Sequence, residues 1–280
     1  MPFVAFVAIA LIGINLIFSY IGLTKDSFYE RHLFRVDNVL INKEYIRLIS
    51  SGFLHISWTH LLFNMISLYL FSGILEMYLG HVQFLIVYLA GLLGGSFLAL
   101  FLHRQHGDYS AVGASGAICG IIFASIAIFP GLDIGIPFIP VRIPGWLYGV
   151  VYIVYTIYGV RSKKDNIGHE AHLGGALVGM LVALAFQPSA FAANYVTILI
   201  VSLPALLFIY IIITRPHVMF IDNFYFKQHH RNATIEDRYN LAKVEEQKEL
   251  DRLLEKIHCK GIASLSKAEK EKLDKYSGSR

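Results

Sequence analysis

Cysteine is nearly absent from this chain, and charge is scarce over most of its length. The only two cysteines, Cys119 and Cys259, lie far apart. They form neither a disulfide framework nor a pair with metal-ligand spacing. A disulfide-stapled scaffold is therefore excluded, and no metal or other cofactor is expected. Charged residues make up 16% of the chain and the net charge is +4. No basic face is interleaved with exposed aromatics, so nucleic acid is excluded as a partner. Two related halves with matching interrupted helices, the mark of a repeat-built transporter, are not seen. Proline is also sparse. Four of the eight prolines, Pro130, Pro137, Pro140 and Pro144, crowd into residues 130–144, so that connection reads as extended and not helical.

What remains is apolar: 55% of residues are hydrophobic and the mean hydropathy is +0.55. A bilayer-crossing helix needs about 20 mostly apolar residues. Seven segments qualify, roughly 3–22, 52–72, 82–102, 113–129, 145–160, 169–187 and 195–214. The fifth is short, and Pro204 interrupts the seventh. The first lacks a basic leading region and a small-residue cleavage site, and is read as a span, not a signal peptide. These segments describe an all-α polytopic protein in a lipid bilayer. The first connection, residues 23–51, is long and amphipathic, suited to the membrane interface, whereas residues 161–168 are short and polar. Residues 215–280 carry 14 Lys/Arg and 11 Asp/Glu and read as a water-soluble tail. In it, Ile235 to Ile257 is a charged helix stopped by Gly261, and Ser266-Lys-Ala-Glu269 is a capping box opening a second helix. This helical hairpin is read as a docking or regulatory appendage for a protein partner.

Polar residues inside the spans cluster. With seven spans, the second, fourth and sixth start from one face of the membrane. His60 and Asn64 fall two to three turns into the second, at i and i+4 on one helical face. Ser115 and His172 fall a few residues into the fourth and sixth. An imidazole and a hydroxyl buried in lipid are costly unless they serve a function. The chemistry available to them is acyl transfer. Histidine takes the serine proton, and His60, Asn64 and the Ser115 backbone N–H at a helix start are the candidate oxyanion donors. No carboxylate is placed to orient His172, so a dyad is expected. Gly113, Ala114, Gly116 and Gly120, with Gly174, Gly175 and Gly179, allow the fourth and sixth helices the close approach a Ser–His hydrogen bond requires. The alternative chemistry rests on His169-Glu170-Ala171-His172, which is one residue short of the zinc motif H-E-x-x-H and lacks a third ligand. Taken singly, each residue also has a plainer role. Asn64 serves as interhelical glue, Glu76 as a cap at the membrane edge, Arg47 as a solvated interface charge and Cys119 as a small packing residue.

The joint pattern resembles the rhomboid intramembrane serine proteases. Gly113-Ala114-Ser115-Gly116 is followed, in the next-but-one helix, by Ala171-His172-Leu173-Gly174-Gly175-Ala176-Leu177-Val178-Gly179. Gly52-Phe-Leu-His55-Ile-Ser-Trp-Thr-His60-Leu-Leu-Phe-Asn64 is similar to the family's His-and-Asn signature, Arg47 to its first-loop arginine, and Glu76 with Gly80 to its pair after the second helix. The resemblance covers about residues 40–187. It implies a six-helix catalytic core (residues 1–190), to which an additional span (191–216) and the soluble helical tail (217–280) are appended. It further implies Ser115 as nucleophile, His172 as base, and His60 and Asn64 as oxyanion donors. Gly113, Gly116, Gly175, His55, Arg47 and Glu76 would support them. The implied substrates are transmembrane segments of other proteins, and the expected location is the bacterial inner membrane. The competing reading within the family is a non-catalytic binder of membrane proteins. Two positions depart from the pattern. Ile46 stands where tryptophan commonly precedes the arginine, and Cys119 stands where an aromatic often packs on the catalytic histidine.

Overall fold

The computed structural model describes residues 5–135, 142–162 and 168–214, together with Ser266 and Leu273. Contacts divide the chain into two compact units, residues 1–222 and 223–280. Apart from Ser266 and Leu273, the proposed tail hairpin lies outside the described residues, as do Pro137 and Pro140.

The first unit is helical and crosses the membrane several times. Its helices are α1 (Phe6–Thr24), α2 (Asp26–His32), α3 (Val36–Leu40), α4 (Arg47–Ser50), α5 (Trp58–Leu79), α6 (His81–Leu102), α7 (Ser115–Ile128), α8 (Gly145–Ser162), α9 (His169–Phe186) and α10 (Pro188–Thr214). Five of them, α1, α5, α6, α9 and α10, are long and apolar enough to span a bilayer, while α7 and the apolar part of α8 are shorter. The seven expected segments thus appear in order, two of them as shorter helices. Large apolar side chains such as Ile17, Leu62, Phe63, Leu70, Phe97 and Leu207 lie exposed on the outer faces. In water such faces would aggregate, but a surrounding of acyl chains accommodates them. The protein is an integral, multi-pass membrane protein.

The shortness of α7 has a structural counterpart in its position. Every residue from Gly116 to Ile128 is buried, with α6 and α9 packed along it and α5 and α10 also against it. Glycines permit this. A methyl on Gly175 of α9 would stand 2.1 Å from the Gly116 carbonyl oxygen, and one on Gly179 would stand 2.4 Å from Gly120 Cα. The α7 and α9 backbones are therefore in direct contact, the arrangement small residues allow between membrane helices.

Elsewhere the boundaries come from local hydrogen bonding. The second span begins at Trp58, not at 52, because Ser57 is extended (φ −159°, ψ 161°) and its hydroxyl accepts the His60 N–H at 3.2 Å. Such a cap starts a helix. His60 is consequently in the first turn, not two to three turns in. At the other end of α5, Gly80 alone joins the two 22-residue helices, at a positive φ of 79° that favours glycine. Pro204 does not interrupt α10. The non-helical residue is Asn194 (φ −117°, ψ 18°), whose amide donates to the Ala127 and Ile128 carbonyls, both at 3.0 Å. Asn194 leaves helical geometry to satisfy the end of α7, where carbonyls lack partners of their own.

The connections are folded as well. Strand β1 (Phe34–Arg35) pairs antiparallel with β2 (Ser110–Ala111), Phe34 opposite Ala111. Around that pair Phe34, Val36, Val39, Leu48, Ala99 and Tyr109 form a second small core. Beyond the other end of α7, β3 (Asp133–Gly135) pairs antiparallel with β4 (Arg142–Pro144), so the described parts of the proline-rich connection include two paired strands.

Candidate active site

Ser115 is the first residue of α7, and His172 lies in the first turn of α9. The close contact of these helices brings Ser115 Oγ to 2.7 Å from His172 Nε2. Ser115 is half-buried and His172 is buried. As the opening residue of a helix, Ser115 has a backbone N–H with no carbonyl of its own helix to bond. Gly113, at φ 134°, turns the chain into α7. A methyl there would stand 2.9 Å from His60 Cε1, 3.2 Å from His60 Nε2 and 3.7 Å from Ser115 Oγ. The imidazole of His60, the glycine and the hydroxyl therefore share one small space.

Asn64 is buried one turn further along α5, where one of its two amide hydrogens is donated to the His60 carbonyl at 3.0 Å. The other hydrogen remains for a further acceptor. His55 packs edge-on to His60, with centroids 4.9 Å apart. The Ser19 hydroxyl donates to the Phe53 carbonyl at 3.0 Å, so its oxygen accepts from His55 Nδ1 at 2.8 Å. Burial, with the neighbouring His60, pushes the His55 imidazole down to about 3. It is neutral at physiological pH and braces His60 against α1.

Arg47 and Glu76 stand apart from the pair. Arg47 is only 7% exposed and is not a solvated charge. It donates to the Glu30 and Leu33 carbonyls, each at 2.8 Å, and its Nε bonds the Glu44 carboxylate. That contact, followed by the Asn38 amide, holds Glu44 below the usual carboxylate range. The first loop is anchored by Arg47 although the preceding Ile46 is exposed. Glu76 accepts from the Val7 and Ala8 N–H groups at 2.9 and 3.0 Å, with His81 Nδ1 at 2.6 Å. It thus caps the start of α1, where a negative group is favoured. Gly116 and Gly175 act through the α7–α9 contact itself.

Two contributors escaped the sequence reading. Tyr152 of α8 places its hydroxyl 3.0 Å from His172 Nδ1 and 3.0 Å from Cys119 Sγ. The only signal for it was Cys119, a small residue that leaves room for a ring from the next helix. Glu170, read only as part of a zinc-like motif, bonds His103 at 2.9 Å and the Tyr109 hydroxyl, while His103 stacks on Tyr109 at 3.6 Å. This ties the first turn of α9 to the end of α6 and to the segment leading into Ser115.

Residues 42–189 match the model of the Rhomboid domain, and residues 233–279 match that of a family of unknown function (DUF6576). The putative rhomboid protease YdcA of Bacillus subtilis is 35% identical over 149 residues, covering 51% of this chain and 67% of that protein. The RHOMBOID-like protein 12, mitochondrial, of Arabidopsis thaliana is 33% identical over 149 residues, 48% of this chain and 44% of that one. The Rhomboid protein 1, mitochondrial, of Saccharomyces cerevisiae is 29% identical over 177 residues, 61% and 51% of the two chains. The match spans about half the length of each of these last two relatives.

Proposed function

The chain belongs to the rhomboid family, and we propose that it is an intramembrane serine endopeptidase acting on transmembrane segments of other membrane proteins. The observation that carries this reading is the 2.7 Å approach of Ser115 Oγ to His172 Nε2. As Oγ attacks the scissile carbonyl, Nε2 takes the hydroxyl proton and then delivers it to the departing amine. Water, deprotonated by the same imidazole, releases the acyl group from Ser115. The tetrahedral oxyanion is met by the Ser115 N–H, His60 and the remaining amide hydrogen of Asn64. The position of Ser115 at a helix start, half-buried, suits a bond that has already left its helix. Such a bond comes most easily from a segment with Gly or Pro, because freed backbone groups find no water in lipid. The membrane of this proposal is the bacterial inner membrane, and the tail docks a protein partner.

The decisive experiment is cleavage of a single-span reporter by purified protein in liposomes. Ser115→Ala and His172→Ala, each folded, abolish cleavage, while His60→Ala and Asn64→Ala lower kcat by about 10–10³ with smaller changes in KM. A Ser115→Ala protein within tenfold of wild type overturns the reading. A wild-type chain that binds the reporter without cutting it, and that no fluorophosphonate labels, favours the non-catalytic binder instead. Equal cleavage of an uninterrupted poly-Leu span and one containing Gly and Pro overturns the account of specificity.

A further inference from the structure

The second ring nitrogen of His172 decides whether the first can act as a base. Nε2 must be bare to receive the Ser115 proton, so in the neutral ring the hydrogen belongs on Nδ1. Nδ1 lies 3.0 Å from Tyr152 Oη. A phenol oxygen that accepts Nδ1–H must place its own hydrogen elsewhere, and Cys119 Sγ is 3.0 Å away. Cys119 is four residues beyond Ser115 on α7, hence on the same helical face. The chain of contacts leaves α7 at Ser115, crosses His172 on α9 and Tyr152 on α8, and returns to α7.

We propose that Tyr152 is the positioning residue of the Ser115–His172 pair, and that Cys119 orients its hydroxyl. The hydroxyl selects the Nδ1–H tautomer of His172 and offers a lone pair to the imidazolium formed when Ser115 is deprotonated. One proton moves, from Oγ to Nε2. The hydrogen on Nδ1 stays in place, and Tyr152 remains a neutral phenol throughout. A carboxylate in this position would orient the imidazole too, but at the expense of a charge inside the bilayer. A phenol supplies the same acceptor without one. The ring is itself held in place, stacked on Tyr148 with centroids 5.9 Å apart and edge-on to Phe123 at 6.0 Å.

This inference rests on the serine-protease reading, and its test separates the two. Full-length wild type and variants in liposomes are compared by kcat and KM on the reporter, by the rate at which a small fluorophosphonate modifies Ser115, and by unfolding temperature. Tyr152→Phe keeps the ring and removes the oxygen. Its kcat and labelling rate fall together by roughly 10- to 100-fold, as expected for a hydrogen bond to a group that becomes charged. KM stays within about twofold and the unfolding temperature within about 3 °C. Cys119→Ala lowers kcat by about threefold, Cys119→Ser restores it, and the double variant Tyr152→Phe/Cys119→Ala is no slower than Tyr152→Phe, because Cys119 acts through Tyr152. A Tyr152→Phe protein with kcat within twofold of wild type overturns the proposal, as does a loss confined to KM or stability. If Tyr152→Phe does not fold, the Cys119 pair decides: equal wild-type rates for Ala and Ser overturn it. A wild type that neither cleaves nor becomes labelled fails earlier, at the serine-protease reading.

Discussion

The helices around Ser115 and the helices at the rim are held by opposite means. Between α7 and α9, glycine brings backbone against backbone at Gly116–Gly175 and Gly120–Gly179. At the rim, charge does the holding: Glu76 caps α1, and Arg47 gathers two carbonyls of the first loop. The difference follows from what each place must hold. A hydrogen bond of 2.7 Å between two helices tolerates little play, and direct backbone contact is stiff. Chain ends and loops expose unpaired N–H and C=O groups, and buried charge satisfies these most strongly.

Four changes test that contrast, in descending order of effect. Gly175→Val should be the most severe, because even the first carbon of the side chain would meet the Gly116 backbone. We expect a loss of about 3 kcal/mol or more and no cleavage. Gly73→Val, where a methyl meets nothing within 4 Å, serves as the control and changes little. Unfolding in detergent with a parallel cleavage assay measures both, and a tolerated Gly175→Val breaks the comparison.

Glu76→Ala comes next. It strands two N–H groups at the start of α1, with an expected loss of about 2–3 kcal/mol. Because Glu76 is remote from the pair, kcat should hold at temperatures where the variant remains folded. A kcat loss without destabilisation would show that the rim reaches the chemistry after all.

Arg47→Ala should cost roughly 1–2 kcal/mol, and locally. Hydrogen exchange should quicken around residues 30–36 while α7 and α9 keep their protection. Arg47→Lys should recover only part, since a lysine lacks the guanidinium fork that serves two carbonyls and a carboxylate together. Uniform loosening would mean that the first loop is part of the core.

The smallest effect near neutral pH sits where the two regions meet, at His55. Its imidazole is held down to about 3 in the fold, against 6.5 ordinarily. Between those values the unfolded chain binds the extra proton, so stability from this group is complete above pH 6.5 and lost as pH falls. The slope is well under 1 kcal/mol from pH 7 to 6 and steepens to about 1.4 kcal/mol per unit below that. His55→Gln should flatten the wild-type acid slope by that amount. An unchanged slope would mean that His55 is not buried neutral against Ser19 and His60.

Much of the membrane core was legible because apolar length is a one-dimensional property. The order of the helices, and the nearness of Ser115 and His172 to helix starts on one face, follow from counting spans. Boundaries were less legible. The apolar run from Gly52 hid the cap at Ser57, and Pro204 drew attention from Asn194, whose departure from helix is set by the carbonyls of α7. Arg47 looked solvated because nothing local in sequence announces that Glu30 and Leu33 will turn their carbonyls toward it.

By itself the sequence determined that the protein is a bundle of apolar membrane helices carrying a serine and a histidine, since hydropathy is a property of each segment alone. It also allowed α7 and α9 to approach closely, because glycines at matched turns leave no side chain between them. Only the tertiary structure decided that Tyr152 meets His172, that Glu170 bonds His103 and Tyr109, and that Asn194 ends α7. Those contacts depend on how far each helix is rotated about its axis and where its neighbour stands. Hydropathy is blind to that rotation when a helix is apolar on every side.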